Sequence, residues 1–293
     1  MSVRPQTIQI FLPSGNPSGI RMAEITTRIV RVFEVPRRLL DDFLLMQEAS
    51  QVGVYFLVGD GDDAEMPSLY IGQTGNVGKR LAEHNEKKDF WNRALVVVSL
   101  TNSLTQTHVT FLEWHCIKEA KQVGRHQLEN GNGGSKPHTP APLEADCLEI
   151  FDTMRVLVAT LGHPMFEAIA KPAGETSNKD LFFCTANGAN ARGEYTDEGF
   201  VVLKGSTGRL ENVPSIVGTS DARFRQKLLD AGVMSADGDK VVFAKDHLFR
   251  SPSMAAVALL GRTANGWETW KASDGRTLHQ VMRKPSPDAS AQG

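Results

Sequence analysis

Two short tyrosine-bearing segments and the residues that follow them constrain the fold of this chain more than any other feature. The first segment is Gly53-Val54-Tyr55 and the second contains Leu69-Tyr70-Ile71-Gly72. Both are typical of strands, and we interpret them as an antiparallel pair. Arg80 and His84 follow four residues apart, so one face of a helix would present both side chains. The pattern predicts that two phenols, a guanidinium and an imidazole surround one point.

The neighbouring segments complete a mixed arrangement of strands and helices. Asn76 is a suitable N-cap for a helix from residue 77 to about residue 86. Residues 94–100 form a third strand, buried by its run of valines. A helix over residues 106–123 has its apolar residues on one stripe, and Gly124 ends it.

Glu113 lies on the core-facing stripe of that last helix, between Val109 and Ile117. A carboxylate in this position is costly unless it is paired or bound to a cation. Two interpretations are open. We favour a metal ligand, since a buried charge beside a candidate site points to function, over a structural pair with Arg80 or another internal base.

These side chains suit the cleavage of a phosphodiester bond. Arg80 offers a planar fork to two non-bridging oxygens. Tyr70 can deprotonate or orient a water, with Tyr55 supporting it, although a free tyrosine has a pKa of about 10 and needs help from a cation to act as a base. His84 can orient a proton or the phosphate. Glu113 can hold one Mg²⁺ whose shell is completed by waters.

Taken together, the segments over residues 53–135 resemble the signature of the GIY-YIG nuclease family. The resemblance implies an α+β fold in which a three-stranded antiparallel sheet is flanked by helices, and a single Mg²⁺ or Mn²⁺ ion as cofactor. It implies that Tyr70 is the general base and Tyr55 its support. It also implies that Arg80 stabilises the pentavalent phosphate and that Glu113 binds the metal.

The family also has a late asparagine that braces the site. Here it is either Asn130 or Asn132, and we favour Asn130. The chain departs from the family pattern in having valine at position 54 and a longer connector before the second tyrosine. The acidic residues of that connector are interpreted as a solvated loop rather than a metal site: Asp60, Asp62, Asp63 and Glu65.

Changes in composition along the chain predict five regions. They are a β-rich N-terminal extension (1–50), the nuclease-like domain (51–135), a linker and helix (136–180), a small α+β accessory domain (181–280) and a polar disordered tail (281–293). The extension is expected to be a structural brace or a dimer edge.

Residues 190–278 resemble a domain of unknown function that often follows such nucleases in bacterial proteins. The stretch from Ser251 to Trp267 also looks like a module associated with restriction and adenine-methylation systems. Aromatic rings and cations mix in this region, which suits nucleic-acid contact; the residues assigned to that contact, with Lys79 of the nuclease-like domain, are Arg262, Trp267, Trp270 and Lys271. The alternative is that both tryptophans are core residues of a small domain.

The bulk composition narrows the functional classes. A net charge of −2 excludes a grossly basic chain, so any contact with nucleic acid must come from local patches. Three scattered cysteines argue against a disulfide framework or a zinc site and favour a reducing compartment. No apolar run is long enough to span a bilayer, and we expect a cytoplasmic protein without membrane contact.

The sequence therefore predicts a metal-dependent endonuclease that hydrolyses DNA, with an accessory domain for recognising the substrate or a partner such as a restriction or repair protein. The alternative is a catalytically inactive module on a nuclease fold, which binds nucleic acid or recruits other proteins.

Overall fold

The tyrosine-bearing strands lie in the first of two units into which the chain divides, Met1–Glu167 and Ala168–Gly293. The computed structural model describes residues 5–59, 66–131, 134–169 and 181–283. The predicted acidic loop at 60–65, Asn132 and most of the predicted tail lie outside these ranges.

In the described part of the first unit, seven strands form one sheet in the order β1-β2-β3-β6-β4-β5-β7. Neighbouring strands are antiparallel, except that β5 and β7 are parallel. The strands are β1 (Ile8–Phe11), β2 (Arg21–Ile25), β3 (Val30–Pro36), β4 (Gly53–Gly59), β5 (Ser68–Thr74), β6 (Arg93–Ser99) and β7 (Gln127–Leu128).

The three predicted strands, β4, β5 and β6, are neighbours as expected, but the sheet continues beyond them. Strand β3 pairs with β6 along its whole length, from Val30 opposite Ser99 to Pro36 opposite Arg93. Both strands are nearly continuous apolar runs, and helices cover both faces of the sheet where they lie. The N-terminal extension is therefore part of the same sheet as the nuclease-like segment.

Four helices pack on this sheet in the described part of the unit: α1 (Leu40–Leu44), α2 (Val77–Lys87), α3 (Gln106–Val123) and α4 (Ala141–Thr160). Short 3₁₀ turns at Arg37–Leu39 and Gln47–Ser50 flank α1. Helices α3 and α4 cover the face that presents Val54 and Phe56, whereas α1 and α2 cover the face that presents Tyr55 and Leu57. Because side chains alternate along a strand, Tyr55 points toward α2.

The predicted helix ends are confirmed by their caps. The Asn76 side chain accepts a hydrogen bond from the Lys79 backbone N–H at 2.9 Å, which starts α2. Gly124 ends α3 in a left-handed conformation with φ of 70°. These two helices supply all the predicted site residues of the first unit except the two tyrosines and the asparagine.

The described part of the second unit contains a five-stranded and a three-stranded antiparallel sheet, ordered β14-β10-β9-β8-β15 and β11-β13-β12. Helix α6 is buried along almost its full length. The strands are β8 (Leu181–Cys184), β9 (Ala191–Thr196), β10 (Gly199–Val202), β11 (Thr207–Arg209), β12 (Met234–Asp237), β13 (Lys240–Phe243), β14 (His247–Phe249) and β15 (Lys271–Ala272). The helices are α5 (Ser220–Asp230), α6 (Pro252–Leu260), α7 (Gly266–Thr269) and α8 (Leu278–Met282).

The α+β class predicted from the sequence is confirmed. Within the ranges that the structure describes, no helix has the length and apolar character needed to cross a membrane.

Candidate active site

The two glycines of the tyrosine segments are required by close packing, at Gly72 against the Tyr55 ring and at Gly53 against neighbouring valines. The Tyr55 ring lies against Gly72, where a Cβ would come within 3.0 Å of the phenol oxygen and two ring carbons. A Cβ at Gly53 would collide with the Val97 carbonyl and the Val77 side chain. Only glycine at position 72 leaves room for the phenol to cross the neighbouring strand toward α2, so the packing of Tyr55 explains the second glycine.

Tyr55 is 1% exposed, and its hydroxyl group is held by two side chains of α2. The phenol oxygen lies 2.8 Å from Nε2 of His84, and Nε of Arg80 donates to it at 3.4 Å. Burial raises the pKa of Tyr55 well above its usual range. Burial, together with the charges of Arg80 and Lys88, lowers the pKa of His84 to about 4.

These pKa values define the state of the pair near neutral pH, where the phenol is protonated and the imidazole is neutral. Arg80 can only donate to the phenol oxygen, so in the imidazole tautomer that carries its proton on Nδ1, Nε2 of His84 is the acceptor for the phenol O–H. Tyr55 and His84 therefore form a buried neutral pair that is anchored by a permanent cation.

Tyr70 lies on the same face of the sheet as Tyr55 but is partly exposed. The register places Tyr70 opposite Leu57 and Gly72 opposite Tyr55, so the two tyrosines are diagonal neighbours. Their ring centroids are 6.3 Å apart, and the His84 ring meets the Tyr70 ring edge-on at 5.3 Å. The described geometry thus brings together Tyr55, Tyr70, Arg80 and His84, as the sequence pattern indicated.

Among the described residues, Arg80 uses only part of its guanidinium for hydrogen bonds and ion pairs. Its Nη1 pairs with Glu83 at 2.9 Å, and 42% of its side chain is exposed. The hydrogen bonds with Tyr55 and Glu83 raise the pKa of Arg80, so it remains a cation. A partly exposed guanidinium beside two phenols is well placed to receive an anion.

Glu113 is half-buried on α3, the helix that packs against β5. Burial raises the pKa of this carboxyl, whereas a hydrogen bond from the Gln73 backbone N–H and the charge of Arg80 act in the opposite direction. The negative charge of Glu113 also contributes to raising the pKa of the Tyr55 hydroxyl. Arg80 forms its ion pair with Glu83 instead, and the described residues offer no ion pair to Glu113. Within the described residues, the ion pair of Glu113 with Arg80 or another internal base, which the sequence left open, is therefore not formed.

A divalent ion of the kind that the family resemblance implies would have one protein ligand here. Among the described residues, no three His, Cys, Asp or Glu side chains cluster where they could hold a metal. A Mg²⁺ ion commonly keeps several waters and uses one or two carboxylates, so a single carboxylate is compatible with it. The half-buried Glu113, without a pairing cation in the described structure, has the chemistry of such a ligand.

Asn130 braces the edge of the sheet next to Tyr70. Its Nδ2 donates to the Ile71 carbonyl at 2.7 Å, and its Oδ1 accepts from the Ile71 N–H at 2.9 Å. The side-chain amide thereby continues the parallel ladder between β5 and β7 by one step. This contact fixes the backbone of β5 immediately after Tyr70.

The residues assigned to nucleic-acid contact have different environments. Lys79 and Lys271 are exposed, and Arg262 is half-buried with partners of its own. Trp267 is partly exposed, with the Tyr195 ring at 5.4 Å and the Arg283 guanidinium at 3.9 Å.

Trp270 has a different role from the one predicted. It is 0% exposed, its ring packs 4.4 Å from Phe200, and its Nε1–H donates to the Pro252 carbonyl. A ring without exposed surface cannot stack on a base, so the stacking role is corrected to a core role. For this residue the alternative interpretation of the sequence was the better one.

Sequence reasoning missed Lys88, which places its Nζ 4.4 Å from the centre of the Tyr70 ring. A signal for it was present, because Lys88 continues the four-residue spacing of Arg80 and His84. It also missed Glu83, whose pairing with Arg80 follows from ordinary helical spacing.

Comparison with known proteins identifies only the second unit. Residues 182–282 match the model of a family described as a domain of unknown function (DUF4357). This agrees with the resemblance expected over residues 190–278, but it does not reach the residues that resemble a nuclease. No curated protein and no solved structure matches the chain.

Proposed function

We propose that this protein is a metal-dependent endonuclease of the GIY-YIG type that hydrolyses phosphodiester bonds in DNA. The observation that carries the proposal is the arrangement around Arg80, where Tyr55, Tyr70 and His84 meet on one face and the Glu113 carboxyl lies within range of the guanidinium charge. Phosphodiester hydrolysis needs a cationic group that binds the phosphate oxygens and a group that orients the attacking water. It also needs a positive charge that stabilises the negative charge developing on the phosphate.

Arg80 is proposed to bind the scissile phosphate. Its ion pair with Glu83 is exposed enough for a phosphate dianion-like transition state to compete for the guanidinium. Its bond to the Tyr55 hydroxyl limits the directions that the fork can take. Arg80 would therefore be oriented before substrate arrives, which lowers the cost of reorganisation in the transition state.

Tyr70 is proposed to orient or deprotonate the attacking water, because it is the phenol of the pair that reaches solvent. Tyr55 is unsuited to that role, since burial raises its pKa and its hydroxyl group is hydrogen-bonded with His84. Tyr55 and His84 are instead proposed to position Arg80 and Tyr70. This assigns His84 an indirect role in place of direct contact with the phosphate.

Glu113 is proposed to hold one Mg²⁺ or Mn²⁺ ion, which when bound supplies Lewis-acid stabilisation of phosphate oxygens. The Gln73 backbone N–H orients this carboxylate by hydrogen bonding. Because burial disfavours the free carboxylate, a cation at this position would restore its charged form.

The second unit is proposed to recognise the DNA substrate or to recruit restriction or repair proteins, and the protein is proposed to act in the cytoplasm. The partly exposed rings of Tyr195 and Trp267, with Arg283 stacked on the latter, offer the most suitable surface within that unit.

The proposal is tested by nicking of supercoiled plasmid in a titration of Mg²⁺, with EDTA as the zero point. We expect Glu113→Gln and Arg80→Ala to abolish metal-dependent nicking while thermal unfolding stays cooperative. Glu86→Gln is the matched control, since Glu86 is an exposed carboxylate on α2. Nicking by Glu113→Gln at the wild-type rate would show that Glu113 is not the metal ligand.

The same assay separates the enzyme from its rival, a module that binds DNA or recruits a partner without cutting. A pure wild-type protein that binds duplex DNA but leaves plasmid intact at every Mg²⁺ and Mn²⁺ concentration would favour the rival.

A further inference from the structure

Lys88 extends the row of site residues on α2. Arg80, His84 and Lys88 are spaced by four residues, and Lys88 occupies the C-terminal cap, with its backbone N–H bonded to the His84 carbonyl. Side chains at this spacing share one helical face. Lys88 itself has an extended backbone at this cap, and it is the 4.4 Å contact of its Nζ with the Tyr70 ring that places its ammonium beside β5, next to His84.

The Lys88 ammonium lies over the ring of Tyr70. Its Nζ is 4.4 Å from the centre of that ring and 5.9 Å from the centre of the Phe90 ring. The His84 ring also lies close to Tyr70, with the two ring centroids 5.3 Å apart. A cation within about 6 Å of an aromatic face is attracted to it, so Lys88 and His84 both restrict the Tyr70 ring.

The ammonium retains its hydrogen-bonding capacity. In the part of the chain that the structure describes, Lys88 Nζ forms neither a hydrogen bond nor an ion pair, although acidic groups are close in sequence. Glu83 is paired with Arg80 at 2.9 Å, and Asp89 is paired with Arg37 at 3.6 Å. An ammonium has three donors and no acceptor, so an anion is its natural partner.

The charge of Lys88 acts on the same group of residues as that of Arg80. Both cations disfavour protonation of the buried His84 imidazole. Two cations on one helical face, separated by two turns and flanking a partly exposed phenol, match a polyanion that carries a charge at regular intervals.

We propose that Lys88 binds a DNA backbone phosphate next to the scissile one and, through its contact with the ring, positions Tyr70. This inference rests on the proposed nuclease function and deepens it, because it assigns a second phosphate contact to the site. Lysine suits such a contact as a point charge that needs no fixed geometry.

The binding half is tested with a duplex oligonucleotide in EDTA, where no cleavage occurs, by measuring affinity as a function of salt. We expect Lys88→Met to reduce the slope of log affinity against log salt by about one, as the loss of one phosphate contact does. Lys88→Arg should keep the wild-type slope. Lys87→Met is the matched control, because it removes an exposed lysine of the same helix and should change the slope less.

The positioning half is tested by single-turnover nicking with saturating enzyme and Mg²⁺, so that binding is not limiting. We expect Lys88→Met to lower the rate about 10-fold to 100-fold through misplacement of Tyr70, with Lys88→Arg recovering most of it. Lys87→Met should cut at the wild-type rate. Thermal unfolding of each variant shows whether the fold persists.

Three outcomes separate this inference from the function on which it rests. If the wild type cuts and Lys88→Met equals Lys87→Met in slope and in rate, the inference fails alone. If the wild type does not cut but the slope still falls in Lys88→Met only, the nuclease proposal fails and the phosphate contact survives. If a slope change occurs without any change in rate, the positioning role is overturned.

Discussion

The phenol oxygen of Tyr55 lies 2.8 Å from Nε2 of His84, and both side chains are buried between the sheet and α2. Each satisfies the polar group of the other, and Arg80 completes the hydroxyl's hydrogen bonding. The pair thus ties β4 to α2, the helix that carries the guanidinium of Arg80.

Tyr55→Phe should therefore weaken both the fold and the activity. The substitution leaves Nε2 of His84 buried without a partner, which costs about 1–3 kcal/mol. It also frees Arg80 to adopt other directions, so nicking should slow without disappearing. Chemical denaturation and plasmid nicking measure the two effects, and an unchanged unfolding free energy would contradict the buried hydrogen bond.

Gly72→Ala should lower the unfolding free energy clearly, although it adds only one methyl group. The new Cβ would overlap the Tyr55 phenol, and overpacking of this kind costs about 1–3 kcal/mol. Gly75→Ala is the control, because its nearest neighbour in that position is the Gln106 side chain at 3.9 Å. Equal unfolding free energies for the two variants would show that the phenol does not lie over residue 72.

Asn130→Ala should slow nicking by more than the accompanying loss of unfolding free energy would explain. Two hydrogen bonds to Ile71 are lost, at a cost of about 1–3 kcal/mol, and the strand edge beside Tyr70 is released. Asn130→Asp keeps the acceptor for the Ile71 N–H but sets a carboxylate oxygen against the Ile71 carbonyl, so it should be at least as damaging as the alanine variant. The comparison of nicking rate with unfolding free energy across the three proteins is the measurement; a rate that tracks stability alone would count against a positioning role.

The protein should lose stability as pH falls from about 6.5 to 4. Burial lowers the folded-state pKa of His84 and of His247 to about 4, below the value of 6.5 for a free histidine. The unfolded chain therefore takes up protons first, so the stabilisation is complete above pH 6.5 and is lost as pH approaches 4. Because a tenfold difference in proton affinity between the folded and unfolded states corresponds to about 1.4 kcal/mol, we expect each histidine to contribute a loss of about 3 kcal/mol.

Denaturation at several pH values checks this expectation for each unit. His247→Gln should flatten the pH dependence of the second unit without altering that of the first. A wild-type protein that is equally stable at pH 7 and pH 4.5 would refute the neutral, buried state of these histidines.

Trp270→Ala should unfold or strongly destabilise the second unit, since removal of a buried tryptophan costs about 3–5 kcal/mol. Trp267→Ala removes a partly exposed ring and should cost less, while reducing any DNA binding by that unit. The pair is measured by denaturation and by oligonucleotide binding. Similar destabilisation by both substitutions would mean that both rings are core residues.

The features that could be predicted from the sequence are those that depend on neighbouring residues, such as helix caps and the periodicity of strands and helices. The ends of α2 and α3 follow from Asn76 and Gly124, whose capping roles depend on nearby backbone alone. The spacing of Tyr70, Arg80 and His84 was informative because strand and helix periods fix where side chains point.

What escaped prediction depends on contacts between distant segments. Nothing local indicates that β3 pairs with β6, more than fifty residues later in the chain. Trp267 and Trp270 differ by three positions, yet only the surrounding tertiary packing makes one of them a core residue. Lys88 was overlooked because the predicted helix ended at about residue 86, although Lys88 continues the four-residue spacing of Arg80 and His84.

The pairing of β3 with β6 has a practical consequence for anyone who would trim this protein. A fragment cut to residues 51–135 would lack β3, so the backbone donors and acceptors along one edge of β6 would face water. The side chains of β6 are largely apolar and include three consecutive valines. Such an edge recruits other chains and precipitates. The first fifty residues should accordingly be kept in any expression of the first unit.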